Sequence, residues 1–435
     1  MTVLGTGYLG ATHAVCMASL GFDVLGVDVD ASKIERLSGG AVPFYEPGLE
    51  PLLQETLASG RLRFTTSYEE AADFGDVHFL CVGTPQKEHE YAADLDYVYS
   101  AVTSLAPMLQ RPCVFAGKST VPVGTAERIA ARIASSAPAG EGVEVVWNPE
   151  FLREGFAVED TLNPDRLVFG VTSEHGEQAM REAFAPVIAK GTPVVVTDLA
   201  TAQLVKVAAN AFLATKISFI NAMAEVCEVT HADVTKLSQA LSHDTRIGGR
   251  FLNAGLGFGG GCLPKDIRAF MARAGELGVD QALTFLTEVD AINLRRRVRM
   301  VDLTRELLDE TVAGRRIGVL GAAFKPNSDD IRDSPALDVS SRLQAAGAEV
   351  TVYDPAAIPN ARVRYPDLRY ADTMLDAVRD ADVVLLLTEW SEFREVDPDA
   401  LAAVVAARKI VDGRNALDPE RWRSAGWTYR ALGRP

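Results

Sequence analysis

Residues Thr2 to Gly10 read TVLGTGYLG, and ATHAVCMASLG, Ala11 to Gly21, follows without a break. A short strand-forming run enters a turn that carries Gly5, Gly7 and Gly10 at G-x-G-x-x-G spacing, and a helix opens directly behind it. Glycine at these positions allows a tight turn and close backbone approach, and it leaves the positive end of the helix open to a diphosphate. The spacing alone is weak; its context decides. The next strand, in FDVLGVDVD (Phe22 to Asp30), ends in Asp28, eighteen residues after Gly10. A carboxylate there accepts from the adenosine ribose hydroxyls and repels a 2′-phosphate, so the expected cofactor is NAD rather than NADP. Tyr8 and Leu9, inside the turn, belong to the same expected cofactor site. Lys33 reads either as a neighbour of that ribose or as a solvated helix lysine.

Strand and helix alternate outward from this unit. DVHFLCVGTP (Asp76 to Pro85), CVFAGKST (Cys113 to Thr120) and VEVVWNPE (Val143 to Glu150) are further strands with helix-like segments between them. That alternation signals a parallel sheet with crossover helices. Ligands of such sheets lie beyond the carboxyl ends of the strands, which puts Thr84 and Thr120 within reach, although both also read as ordinary capping hydroxyls. From Thr201 the pattern changes to one long helical stretch, Thr201 to Ala232, with no Gly or Pro. A second long helix, FLTEVDAINLRRRVRMVDLTRELLDE, runs from Phe285 to Glu310, and its Arg295–Arg297 run reads as a solvated or interface face. After Gly314 the alternation returns in RIGVLG, AEVTVYDP, ADVVLLLTEW and RKIVDGRN. The expected fold is α/β: two doubly wound, Rossmann-like domains (1–198 and 313–435) joined by a central helical domain (199–312) with a long helix.

Composition bounds the function. The formal charge of −16 makes nucleic acid a poor partner, while a local cluster of donors still suffices for a small anion. No apolar run reads as a membrane span, and the chain opens on a strand with no basic segment before it, so the expected location is the cytoplasm. The five cysteines lack metal-type spacing, and neither a metal site nor a disulfide is expected. Cys16, Cys81, Cys113 and Cys227 sit in or beside apolar runs and read as small core residues.

The fifth, Cys262, stands in GFGGGCLPKD, Gly257 to Asp266. Glycines around it supply backbone N–H groups and room for a ligand rather than packing partners. Lys265 and Asp266 follow at once, and a nearby lysine favours the nucleophilic thiolate. A thiolate beside a nicotinamide site suggests aldehyde oxidation through a thiohemiacetal and a thioester, which needs an oxyanion stabiliser and a base for water. Lys206 and Asn210, four apart on the long helix, share one face and are candidates. Glu150 and Glu154 in NPEFLREG lie just past a strand end and are candidates too. Each pair also has a plain reading as a polar helix face or a solvated turn.

The motifs GTGYLG, CVGTP, KSTVPVGT, NPEFLREGFAVEDTLNPDRLVFG, GFGGGCLPKD and AFKPNSDDIRDSPALDV occur here in the order seen in the UDP-glucose 6-dehydrogenases. The chain resembles that family over nearly its whole length. The resemblance implies oxidation of the C6 alcohol of UDP-glucose to UDP-glucuronate with two NAD per turnover. It implies that Cys262 forms the covalent intermediates, that Lys206 and Asn210 stabilise the oxyanion, and that Asp266 works with Lys206 and a water in proton transfer. Glu150 is then the base for thioester hydrolysis, and Thr120 positions the reacting alcohol or water. Glu154, Lys265 and Arg332 are implied near NAD, beside Asp28 and Thr84. Phe151, Leu152, Phe251, Gly259, Lys325 and Arg414, with Glu150, Lys206 and Asn210, are implied UDP-sugar contacts. Arg246 matches an arginine that reaches the substrate from a neighbouring subunit, so a homodimer or larger homo-oligomer is expected.

Two departures from the family pattern stand out. The first strand is short, because Met1 lies only four residues before Gly5, and Gly261 occupies a position where serine is frequent. A glycine there predicts a more mobile loop. The alternatives are a GDP-mannose or UDP-N-acetylmannosamine 6-dehydrogenase with the same chemistry, a two-electron dehydrogenase of the 6-phosphogluconate type, and a nucleotide-binding module without catalysis.

Overall fold

The computed structural model describes all 435 residues. The chain divides into two compact units, Met1–Ala209 with Arg268–Gly278, and Asn210–Ile267 with Val279–Pro435.

The first unit is built on an eight-stranded sheet: β1 (Thr2–Leu4), β2 (Val24–Val27), β3 (Leu62–Thr65), β4 (Val77–Leu80), β5 (Cys113–Gly117), β6 (Val143–Trp147), β7 (Leu167–Gly170) and β8 (Val194–Thr197). Its order is β3-β2-β1-β4-β5-β6-β7-β8. The first six strands are parallel in the 3-2-1-4-5-6 order of a dinucleotide fold, and β7 turns antiparallel to β6. Successive residues of the central strands point to opposite faces. Val3, Val24, Phe79 and Val114 therefore pack in one apolar layer, and Leu4, Leu25, Leu80 and Phe115 in the other. Helices cover both layers, which is why these strands are largely apolar on both faces.

The second unit holds a six-stranded, all-parallel sheet: β9 (Arg316–Leu320), β10 (Glu349–Tyr353), β11 (Arg369–Tyr370), β12 (Val383–Leu386), β13 (Lys409–Asp412) and β14 (Thr428–Ala431). Its order, β11-β10-β9-β12-β13-β14, repeats 3-2-1-4-5-6. The weak echo between the two ends of the sequence is thus a shared topology.

The long helix spans Leu199–Thr230 and the second long helix Phe285–Leu307. Two expectations need correction. Over its most apolar window the first helix has a mean hydropathy of 1.3, long and apolar enough to cross a membrane by length and composition. Its buried face mixes Gln203, Lys206, Asn210, Ser218 and Asn221 with apolar residues such as Ala202, Val207, Ala214 and Ile220, while Phe212, Phe219 and Val226 are exposed. On the second helix, the arginine run is not a solvated face. Arg296 and Arg297 are buried, Arg296 against Glu228 at 2.9 Å and Arg297 against Asp333 at 2.8 Å, and only Arg295 stays half exposed, beside Glu288. Three consecutive helix residues project in different directions, so a run of like charge cannot all face water.

Candidate active site

The turn after β1 is shaped by crowding. Gly5 has φ +88°, and a Cβ there would lie 2.9 Å from the Val82 side chain. A Cβ at Gly10 would come within 1.7 Å of the Gly5 carbonyl oxygen. Gly7, by contrast, opens on empty space and sits at the start of helix Tyr8–Ser19 with no side chain capping its first N–H groups. Unpaired amides at a helix N-terminus with room in front of them fit the diphosphate of a dinucleotide. Leu9 packs into the apolar layer behind the turn.

Asp28, at the end of β2, faces this turn. Its Oδ2 accepts from the Thr6 amide (2.8 Å), the Thr6 hydroxyl (3.1 Å) and Lys33 Nζ (2.8 Å), and Oδ1 accepts from the Asp30 amide (3.1 Å). Burial works against the charge, but Lys33 and the amides outweigh it and hold the carboxyl below its usual range. The carboxylate is fixed in place, with Oδ1 the less occupied oxygen for a ribose hydroxyl. Lys33 is therefore the partner of Asp28 and not a solvated lysine. Further along the strand ends, the Thr84 hydroxyl donates to the Thr120 carbonyl (2.8 Å), which ties the loops after β4 and β5 together.

Beyond β6, Asn148-Pro149-Glu150 carries the chain off the sheet. Asn148 is buried; its amide donates to the Val168 carbonyl (3.0 Å) and its Oδ1 accepts from Lys118 Nζ (2.8 Å). Two residues on, Glu150 pairs with Lys206 (2.7 Å) and accepts from the Leu152 amide (2.8 Å). The Phe151 ring lies under the Arg166 guanidinium at 3.7 Å and is 5.7 Å from Lys206 Nζ. Glu150, Phe151, Leu152 and Lys206 thus form one cluster on the first unit. Burial pushes Lys118 down to about 8, with Cys81 and Glu150 opposing the shift.

On the second unit, the GFGGGCLPKD segment differs from its sequence reading. Leu263 to Glu276 is a helix, and the Cys262 carbonyl accepts the first turn's bond from the Asp266 amide (3.0 Å). Cys262 therefore stands at the helix N-terminus, where the helix dipole favours a negative sulfur. It is exposed, whereas the other four thiols are buried and no disulfide forms. One turn into the helix, the buried Asp266 carboxylate accepts from Asn210 Nδ2 (2.6 Å) and pairs with Lys265.

Of the glycines before Cys262, Gly257, Gly259 and Gly260 are buried and Gly261 is half-buried. A Cβ at Gly259 would lie 2.3 Å from the Asp333 carbonyl, one at Gly260 2.7 Å from the Phe324 ring, and one at Gly261 2.2 Å from the Arg332 guanidinium. Gly261 leaves room for the Arg332 guanidinium, whose side chain is 62% exposed. Arg332 is held by Asp330 through both carboxylate oxygens. Arg414 is half-buried, and its guanidinium donates to the carbonyls of Leu387 (2.7 Å), Gly257 (2.9 Å) and Phe324 (3.0 Å), which ties it to the glycine segment. Lys325 lies 5.4 Å from the Phe324 ring. Phe251 adopts a left-handed backbone, φ 63°. Arg246 is 88 % exposed and held by Asp244.

Sequence reasoning missed three residues that organise the first unit. Arg166 and Asn148 lay inside a quoted motif without a role. Glu46 lay in a connector that matched no pattern, and only its burial reveals it: it accepts from Tyr8, Gly155 and Ala157.

Comparisons with known proteins agree with this architecture. Residues 1–188 match the NAD binding domain of the UDP-glucose/GDP-mannose dehydrogenase family, residues 200–295 its central domain and residues 318–419 its UDP binding domain. A UDP-glucose 6-dehydrogenase of Rhizobium meliloti (strain 1021) is 42% identical over 437 residues, covering 100% of this chain and 99% of that protein. A UDP-glucose dehydrogenase from the hyperthermophilic archaeon Pyrobaculum islandicum superposes with a TM-score of 0.91 at 37% identity, covering 100% of this chain and 97% of the other. A UDP-D-ManNAc dehydrogenase from Pyrococcus horikoshii superposes with a TM-score of 0.86 at 26% identity, covering 100% and 99%. The chain belongs to the UDP-glucose/GDP-mannose dehydrogenase family and is an NAD-dependent oxidoreductase.

Proposed function

We propose that the protein oxidises UDP-glucose to UDP-glucuronate through two covalent intermediates on Cys262. The observation that carries the reading is the exposed thiol at a helix N-terminus, one turn before the Asn210–Asp266–Lys265 network. Support for UDP-glucose over another sugar nucleotide comes from the 42% identity to a UDP-glucose 6-dehydrogenase, against 26% to a UDP-D-ManNAc dehydrogenase.

NAD, when bound, accepts a hydride at each of the two oxidations. The C6 alcohol first loses a hydride and a proton to give an aldehyde, with Thr120 positioning the oxygen. Cys262 Sγ adds to the aldehyde carbon, and its oxygen, stabilised by Lys206 and Asn210, takes a proton to give the thiohemiacetal. Loss of a second hydride and proton leaves the thioester. Glu150 then removes a proton from water as it attacks, the C–S bond breaks, and the thiolate and the carboxylic acid are released. Asp266 and Lys206 pass protons with an ordered water.

The test counts NADH per sugar. Two NADH per UDP-glucose, with no turnover of GDP-mannose, is the expected result. One NADH per sugar sinks the four-electron reading. Cys262→Ser is expected to form no free uronic acid, and acid production by that variant would remove Cys262 from the mechanism.

The protein acts as a homodimer or a larger homo-oligomer in this reading. Phe212, Phe219 and Val226 recur every seven residues along the exposed side of helix Leu199–Thr230, at 67%, 48% and 51% exposure. An apolar stripe of that spacing fits a second helix. Arg246, exposed and extended by Asp244, is then available to the substrate of the neighbouring copy.

A further inference from the structure

Glu46 lies in the connector VPFYEPGL, Val42 to Leu49, between helix Ala31–Ser38 and helix Leu49–Ala58. It is 7% exposed. Its Oε2 accepts from the Tyr8 hydroxyl and from the Gly155 amide (2.6 Å), and its Oε1 accepts from the Ala157 amide (2.7 Å). The Gly155 amide also reaches the Tyr8 oxygen (3.0 Å), so the contacts close into a ring. Tyr8 opens the first helix, directly behind the glycine turn. Gly155 and Ala157 flank the start of helix Ala157–Leu162 and follow Glu154. One carboxylate therefore holds two segments that are 147 residues apart in sequence.

The connector is itself tied to its neighbours. The Val42 amide donates to Glu50 (3.2 Å), and the Val42 carbonyl accepts from Arg36 (2.8 Å). The Phe44 ring packs on Tyr8 with centroids 4.8 Å apart. Burial and the Glu46 carboxylate keep the Tyr8 phenol protonated at any working pH, so the hydroxyl is always a donor.

We propose that Glu46 is a positioning residue for the cofactor: it sets the 154–157 segment against the glycine turn, and NAD affinity depends on that spacing. The inference rests on NAD binding at the glycine turn and on the reading of Glu154 as a cofactor neighbour. A carboxylate is required by the chemistry, because all three partners are donors. Glutamine keeps the shape but turns an NH2 group toward an N–H, which leaves a buried amide unpaired.

The test compares Glu46→Gln, Tyr8→Phe and Glu154→Gln by steady-state kinetics and by direct titration of NAD. For Glu46→Gln we expect KM for NAD to rise about tenfold, with kcat and the KM for UDP-glucose changed less than about twofold. For Tyr8→Phe, which loses one donor and keeps the ring, the expected rise is about threefold. Should Glu46→Gln fail to fold, Tyr8→Phe decides alone. An unchanged NAD affinity in Tyr8→Phe and Glu46→Gln overturns the inference. So does a fall in kcat together with a rise in both KM values, the mark of a merely structural role. Glu154→Gln separates the two readings: if it leaves NAD affinity unchanged while Glu46→Gln weakens it, the Glu154 reading fails and the positioning role stands.

Discussion

Lys118 shows what a single buried charge does. It follows β5 directly, is enclosed by Phe79 and Phe184, and has one neutral hydrogen-bond partner, Asn148 Oδ1. Burial lowers it to about 8, from an ordinary lysine value of 10.5. Below pH 8 the folded protein carries the ammonium at a cost of up to about 3 kcal/mol. Between pH 8 and 10.5 the unfolded chain binds more protons at this site, so the cost is relieved as pH rises through the folded value. Lys118→Met removes the term. The difference in stability between wild type and variant should therefore move in favour of the wild type, by about 1 kcal/mol from pH 7 to pH 9. Denaturation midpoints at the two pH values check this, and a pH-independent difference would show that Lys118 stays charged throughout. At this scale sequence reasoning picks out candidates by side-chain chemistry. Cys262, Lys206, Asn210, Asp266 and Glu150 carry unusual chemistry in recognisable neighbourhoods. Lys118, Asn148 and Glu46 act through buried hydrogen bonds, and nothing in their local sequence reports burial.

At the scale of elements, the same limit explains which strands sequence reasoning found. The central strands, largely apolar, stand out. β3, β8, β11 and β14 form the edges of the two sheets and are partly exposed; β3, β11 and β14 also lack that continuous apolar run, whereas β8 carries three valines in a row. β7 is buried but lies within a motif read for its chemistry. The repeated topology also places two acids in matching positions. Asp28 ends the second strand of the first sheet, and Asp354 follows the second strand of the other. Asp354 accepts from the amides of Ala322, Ala323, Ala356 and Ala357 and from Trp390 Nε1. With five donors on it and 3% exposure it ties the segments after β9, β10 and β12 together. The glycine segment supplies a prediction. A methyl at Gly259 meets the Asp333 backbone oxygen, whereas one at Gly261 meets the end of a flexible arginine. Gly259→Ala should cost about 2 kcal/mol or more and Gly261→Ala less than about 1 kcal/mol. Urea midpoints measure both, and equal losses would mean that the Arg332 side is as unyielding as backbone.

At the scale of the whole molecule, the long helix and the net charge pull in opposite directions. Phe212, Phe219 and Val226 stand exposed along one side of the helix, and such an apolar stripe is costly in water without a partner. A formal charge of −16 on each copy repels another copy. If the stripe is the interface, the attraction is apolar and the opposing force is screened by salt over about 10 Å at 0.1 M. Association should therefore tighten as ionic strength rises, the reverse of an interface held by opposite charges. Phe219→Glu places a carboxylate at the middle of the stripe and should raise the dimer dissociation constant at least ~100-fold. Sedimentation velocity across a salt series measures both effects. A dimer that weakens with salt, or one that survives Phe219→Glu unchanged, would move the interface off this helix.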